Sequence, residues 1–400
     1  MNNNWSCSPG LVVKMERGPF QDNGATPWYC VMGIGTPPQP LYICFDTGSN
    51  FNWVTSSLCG PDRCVHYAGH KFNIECSASF DWIDQSKQLV SFGPWGDMYA
   101  ELGSDFLSLS GAESLNLRAN ILMASEYNAI QFQELDWDGG IGLASSQQSA
   151  PFSALPGKLP FRSYDASTVS ADVTESFDDE FHFFLKLMKN GMVSKDMPFI
   201  SFINDSEQGY VGFGVLDENY QDSLDYVFLP WECYQEAACY LWSTGNASVS
   251  VGGDVVGSGL FFALDSGSSQ FKGDSGTLGV LQKMTESDNP EITINLKDTN
   301  GNDYAELKVT SDIYKCEIEA GQYKGEVKTQ FEPLANADKM LLVGSVIMDH
   351  LYTVYEYSVR DENHLDPVGM WIFNKPDGPV IITNRQARPA SIFNRGGGNS

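Results

Sequence analysis

Residues 41–51 read LYICFDTGSNF, and residues 260–271 read LFFALDSGSSQF. In both, an apolar run ends at an aspartate, Asp46 or Asp265, and a hydroxyl residue, a glycine and a serine follow. A carboxylate at the end of a buried strand is costly unless it is paired or hydrogen-bonded. One such stretch reads as a turn; two ask for a shared purpose. A second element follows each, apolar residues and then glycine: GGIGLA at 139–144 and LLVGSV at 341–346. The same order once per half predicts two related lobes, divided near a helix around residue 190. A third Asp-Ser-Gly, within KGDSGT at 272–277, follows Lys272 and Gly273 instead of an apolar strand, so Asp274 reads as a turn residue.

Two carboxylates from two lobes meet where the lobes join. Like charges a few ångströms apart do not both ionise cheaply, so such a pair shares one proton and titrates as a unit. One member is then a base and the other an acid, able to activate a water and protonate a leaving amine. No metal, cofactor or covalent nucleophile is needed. The neighbours suit that task. Gly48 and Gly267 let backbone and substrate approach closely. Thr47 and Ser266 can bond across to the opposite loop, and Ser49 and Ser268 can donate to the outer carboxylate oxygens.

The rest of the 400-residue chain reads as a mainly β protein large enough for more than one domain. WYCVMGIGTPPQPLYICFDTG (28–48) and EITINLKDTNGNDYAELKV (291–309) are hairpin patterns. Helical patterns are few, the clearest being FDDEFHFFLKLMKNGMV at 177–193, opened by acidic residues and closed by Lys189 and Gly191. The stretch from Ser145 to Asp179 reads as a long surface loop or linker. The expected organisation is an N-terminal lobe at 1–190, a C-terminal lobe at 191–375, and an extension at 376–400 that is partly disordered.

The formal net charge is -27. That argues against nucleic acid, whose phosphates need a basic footprint, and suits a soluble protein working in acid. No apolar run reaches the roughly 18 residues of a membrane span, and the opening MNNNWSCSPG lacks a signal-peptide layout, so a mature or trimmed soluble domain is expected. Of nine cysteines, Cys59 with Cys64 and Cys233 with Cys239 bracket short loops that read as local disulfides of an oxidising compartment. Cys7, Cys30, Cys44, Cys76 and Cys316 are left unassigned. Asn4, Asn204 and Asn246 head N-x-S/T sequons, which tilt toward the secretory pathway. DTNGND at 298–303 has its glycine misplaced for a calcium loop. His66 and His70, in HYAGH, read as a loop and not as a zinc helix. No G-x-S-x-G elbow surrounds Ser266 or Ser268.

Over roughly residues 28–375 the chain resembles the pepsin-like aspartic proteases. The matching pieces are GIGTPPQPLYICFDTGSNFNWV, DGGIGLA, FLKLMKNGMVSKDMPF, ALDSGSS and LLVGSVIMDHLYTVYEY. Trp53 stands where the family places a tryptophan, and Cys59 with Cys64 matches a family disulfide. The resemblance implies a bilobed β fold with an extended cleft and an endopeptidase acting on extended polypeptides, usually in acid. It also implies a monomer, statine-type inhibitors as ligands, and a secreted or acidic endomembrane (lysosome- or vacuole-like) location. The shared-proton mechanism comes with the family, pepsin being its known example.

Two departures and one specificity hint stand out. The flap hairpin expected near 88–103 has Phe92 in place of the family's tyrosine and Trp95 at its tip, both facing substrate. Ser345 stands where many relatives carry aspartate. Lys272, basic as in beta-secretase-like relatives, either faces the cleft and tolerates an acidic substrate residue or is a solvated loop lysine. The altered flap keeps an alternative reading in view, a weak or inactive binding protein on the same fold.

Overall fold

Strands Trp28–Ile34 and Gln39–Asp46 pair antiparallel, with Cys30 opposite Ile43. Alternate residues of the first, Trp28, Cys30, Met32 and Ile34, are buried, which is the period-two pattern of a half-covered sheet. The description comes from a computed structural model covering residues 5–6, 9–92, 96–109, 117–127, 129–145, 181–205, 208–235, 238–297, 303–383 and 391–393. Trp95, Asn4, the turn at 298–302 and residues 146–180 of the expected loop lie outside the described residues.

The sequence repeat has a counterpart in strand pairing. Gly139–Gly142 lies parallel to Gln39–Asp46, Asp46 opposite Gly142, and antiparallel to Asn52–Thr55. In the second half Met340–Val343 lies parallel to Asp254–Leu264 and antiparallel to Phe271–Asp274. Each set gains one more parallel neighbour, Leu117–Glu126 beside Asn52–Thr55 and Phe331–Leu334 beside Phe271–Asp274. The apolar-Gly elements are thus the strands that clamp the two aspartate strands from the side.

The halves are not cleanly divided near residue 190. Leu11–Arg17 runs antiparallel to Gln208–Phe213 from Leu11↔Phe213 to Glu16↔Gln208. A 13-stranded sheet therefore runs from Tyr226–Pro230 in the second half to the hairpin of Asp81–Ser91 and Asp97–Leu109 in the first. Phe45 and Phe213 from opposite halves meet edge to face at 5.3 Å within one apolar core.

The helix near 190 spans Phe183–Lys189. Its N-cap is His182, whose Nδ1 accepts the Leu185 N–H at 3.3 Å, and Gly191 closes it at φ 69°. One expectation is corrected. Asp274 is no turn residue: it caps the helix Ser275–Ser287, its Oδ1 accepting from Thr277 N and Oγ1, both at 2.8 Å. Gly276 and Gly279 weaken the helical signal there, and only Thr277, Leu278, Leu281 and Thr285 are buried. The extension after residue 375 returns to the core. Ile382–Thr383 pairs with Glu306 and Leu307, and Ile381, Ile382 and Ile392 are buried.

Candidate active site

Asp46 ends its strand, and Asp265 directly follows Leu264. The two loops they begin are bonded to each other. Thr47 N–H donates to Ser266 Oγ at 3.0 Å, and Ser266 N–H donates to Thr47 Oγ1 at 2.9 Å. Each hydroxyl then donates across the join, Thr47 Oγ1 to Leu264 O at 3.1 Å and Ser266 Oγ to Phe45 O at 2.6 Å. Thr47 is fully buried and Ser266 nearly so. Four bonds in a water-poor setting hold the two strand ends in register.

That register brings the carboxyls together. A Cβ placed on Gly48 would stand 2.5 Å from Asp265 Oδ1, and one on Gly267 would stand 2.3 Å from Asp46 Oδ1. Each glycine is the floor on which the other loop's carboxyl rests. Gly48 N–H donates to Asp46 Oδ1 at 2.8 Å, and Gly267 N–H donates to Asp265 Oδ1 at 2.9 Å. Ser268 Oγ donates to Asp265 Oδ2 at 2.7 Å, and Ser49 supplies a hydrogen bond to Asp46. Burial holds the Asp46 carboxyl well above the usual carboxylate range, and the neighbouring Asp265 charge and hydrogen bond push the same way. The bonds from Gly48 and Ser49 oppose that push without reversing it. Two carboxyls so placed can hold one proton between them, take another from a water and deliver one to a leaving group. Among the described residues no three His, Cys, Asp or Glu side chains gather as a metal site.

Around the pair, Phe92 at the hairpin end meets Phe51, Trp53 and Phe132 edge-on at 5.4, 5.8 and 5.7 Å. Lys272 is not a solvated loop lysine. It is 8% exposed in strand Phe271–Asp274, 3.8 Å from Glu332, and burial lowers its pKa against the opposing pull of Glu332 and both aspartates. Ser345 is buried, its N–H bonded to Ser268 O at 2.9 Å.

Two features escaped the sequence reading. Tyr240 feels the charges of both aspartates, and burial first, then those charges, pushes its hydroxyl up to about 12. Its one local signal is its place beside Cys239. The second feature is a buried polar chain in the first half. Asp138 accepts from His66 Nε2 at 2.7 Å, from His70 at its N–H and Nδ1, and from Tyr42 N–H. Tyr127 joins His66 Nδ1 to Thr55 through its hydroxyl and stacks on Phe132, which meets Phe92. The HYAGH loop is therefore anchored beside the aspartate strand.

Cys59–Cys64 and Cys233–Cys239 are both bonded. Asn246 is exposed. Asn204 is corrected as a sugar acceptor: it is 6% exposed and its Nδ2, the atom a sugar would join, donates to Asp349 Oδ1 at 2.9 Å.

Comparison with known proteins bears on this geometry. The family model for eukaryotic aspartyl protease matches residues 28–363. Pepsin A of Rhinolophus ferrumequinum is 28% identical over 274 residues, covering 67% of this chain and 60% of the relative. Pepsin II-2/3 of Oryctolagus cuniculus is 27% identical over 259 residues, covering 64% and 57%. Pepsin A of Bos taurus is 23% identical over 351 residues, covering 84% and 83%. The chain thus spans less than two thirds of the first two relatives and most of the third. With the match running through both aspartate loops and both clamping strands, this chain belongs to the eukaryotic aspartyl protease family.

Proposed function

We propose that this protein is an aspartic endopeptidase that hydrolyses peptide bonds of extended polypeptides in acid, with Asp46 and Asp265 as its catalytic pair. One observation carries the reading: each loop's glycine lies against the other loop's carboxyl. The shared proton is held while the ionised partner takes a proton from a water. The water oxygen adds to the peptide carbonyl, the pair protonates the amine, and the C–N bond breaks. Thr47 and Ser266 keep the carboxyls in register. Ser49 and Ser268 hold the ionised form, and Gly48 and Gly267 leave room for the substrate backbone. Phe92 covers the cleft, and Lys272 biases it toward an acidic substrate residue. The protein acts as a monomer, is secreted or enters an acidic compartment, and carries a sugar at Asn246.

The test is incubation with a denatured protein from about pH 3 to about pH 7, beside Asp265→Asn. Acid cleavage that vanishes in the variant and with a statine-type inhibitor is expected. A folded chain with no cleavage at any pH and no statine affinity overturns the reading.

A further inference from the structure

Behind Ser266 lies a cavity of about 10 Å³. Its walls include Phe45, Phe202 and Met348, but Thr26, Asn204, Ser266 and Ser345 also line it. Asn204 Oδ1 and Ser345 Oγ are buried with no hydrogen-bond partner in the protein. Their residues are 6% and 3% exposed. A buried polar atom left without a partner is costly, so two around one small space call for a shared partner. The Asn204 amide is oriented by its Nδ2 bond to Asp349, an acceptor, so its oxygen is the free end. A single water needs roughly 10–15 Å³ and two to four polar partners, and the cavity meets both conditions.

We propose that this cavity binds one structural water, held by Asn204 Oδ1 and Ser345 Oγ and within reach of the Thr26 and Ser266 hydroxyls. The water ties the loop after Asp265 to a buried polar cluster. Asp349 accepts from Asn204 Nδ2 and from Trp28 Nε1, both at 2.9 Å, and the Lys375 ammonium bonds the carbonyls of Asn204 and Asp349. Ser266 meanwhile makes the cross-loop bonds to Thr47 and Phe45. The water and Ser345 are positioning elements: they touch no substrate and act by steadying Ser266. Their effect on turnover rests on the endopeptidase reading, whereas the water site itself does not.

Two experiments separate these claims. A high-resolution crystal structure of the unaltered chain should show one ordered water within about 3 Å of both Asn204 Oδ1 and Ser345 Oγ. A dry cavity, or either atom turned onto a protein partner, overturns the site whether or not the chain cleaves peptides. Ser345→Val fills the space and expels the water, whereas Ser345→Ala leaves it on Asn204. The valine variant should lose about tenfold in kcat with KM unchanged, a shift of tenths of an ångström where ~1 Å costs about 100-fold. The alanine variant should lose less. Equal losses, or a loss confined to KM, overturn the positioning role. Should Ser345→Val not fold, Ser345→Cys, bulkier and a weak donor, is scored by the same outcomes.

Discussion

Thr47 and Ser266 exchange hydrogen bonds across the join of the halves, each backbone N–H meeting the other's hydroxyl at 3.0 and 2.9 Å. Ser266→Ala leaves the Thr47 N–H and the Phe45 carbonyl without their partner in a buried place. At about 1–3 kcal/mol for each of these two groups left unsatisfied, stability should fall by roughly 2–6 kcal/mol. Ser266→Thr, which copies the opposite loop, should recover most of it. Urea unfolding checks both. An alanine variant as stable as the parent would show that the four-bond lock is not holding the halves in register.

The glycines make a sharper test of geometry. Gly48→Ala puts a methyl 2.5 Å from Asp265 Oδ1, and Gly267→Ala puts one 2.3 Å from Asp46 Oδ1. Neither carboxyl can retreat far, since Gly48, Gly267 and Ser268 hold them by hydrogen bonds. Displacement by ~1 Å at reacting groups costs about 100-fold, so each variant should lose at least that in kcat while remaining folded. Turnover with a denatured protein substrate, beside a circular dichroism spectrum, is the measurement.

These glycines were legible because their signal is local. Each tripeptide ends its own apolar run, and the elements around Gly142 and Gly344 are short and repeated. Other contacts bring together residues far apart in the chain. Nothing in HYAGH announces a carboxylate 72 positions beyond His66. Nor does the sequence near Leu11–Arg17 reveal that its partner is Gln208–Phe213, because any half-apolar strand could take that edge. The helix at Ser275–Ser287 is obscured by its own glycines, and in sequence its cap reads as a turn. Ile381 and Ile392 sit in a polar, glycine-rich tail whose composition hides two buried anchors.

The Asp138 chain should matter to the fold more than its loop setting suggests. Asp138 and His66 are buried, whereas His70 is half exposed. Asp138→Ala strands the His66 Nε2, His70 N–H and Tyr42 N–H donors, at about 1–3 kcal/mol for each one left unsatisfied, while an exposed pair contributes about 0–1 kcal/mol. Asp138→Ala should therefore destabilise the chain by several kcal/mol, and His70→Ala by no more than about 1 kcal/mol. Equal unfolding midpoints for the two variants would deny the network that role.

Asp136 links stability to acid. Its carboxyl is 5% exposed, accepts from Gln21 Nε2 at 3.1 Å, and is pushed up to about 7, chiefly by burial. The Gln21 bond and the Arg17 charge pull the other way. Below about pH 3.8 the group is protonated in the folded and unfolded chains alike, and its contribution to stability is complete. As pH rises toward 7 the unfolded chain gives up this proton while the folded chain keeps it, so stability drains away over that window. At about 1.4 kcal/mol per unit the loss is on the order of 4 kcal/mol. Asp46 and Asp349 are raised in the same direction, so these carboxyls add to the same stabilisation of the folded chain in acid. Asp136→Asn keeps an oxygen for Gln21 and removes the titrating proton. Its urea midpoint should match the parent's near pH 3.5 and exceed it near pH 7.5. Parallel curves across that range would mean the Asp136 carboxyl ionises as freely in the folded chain as in the unfolded one.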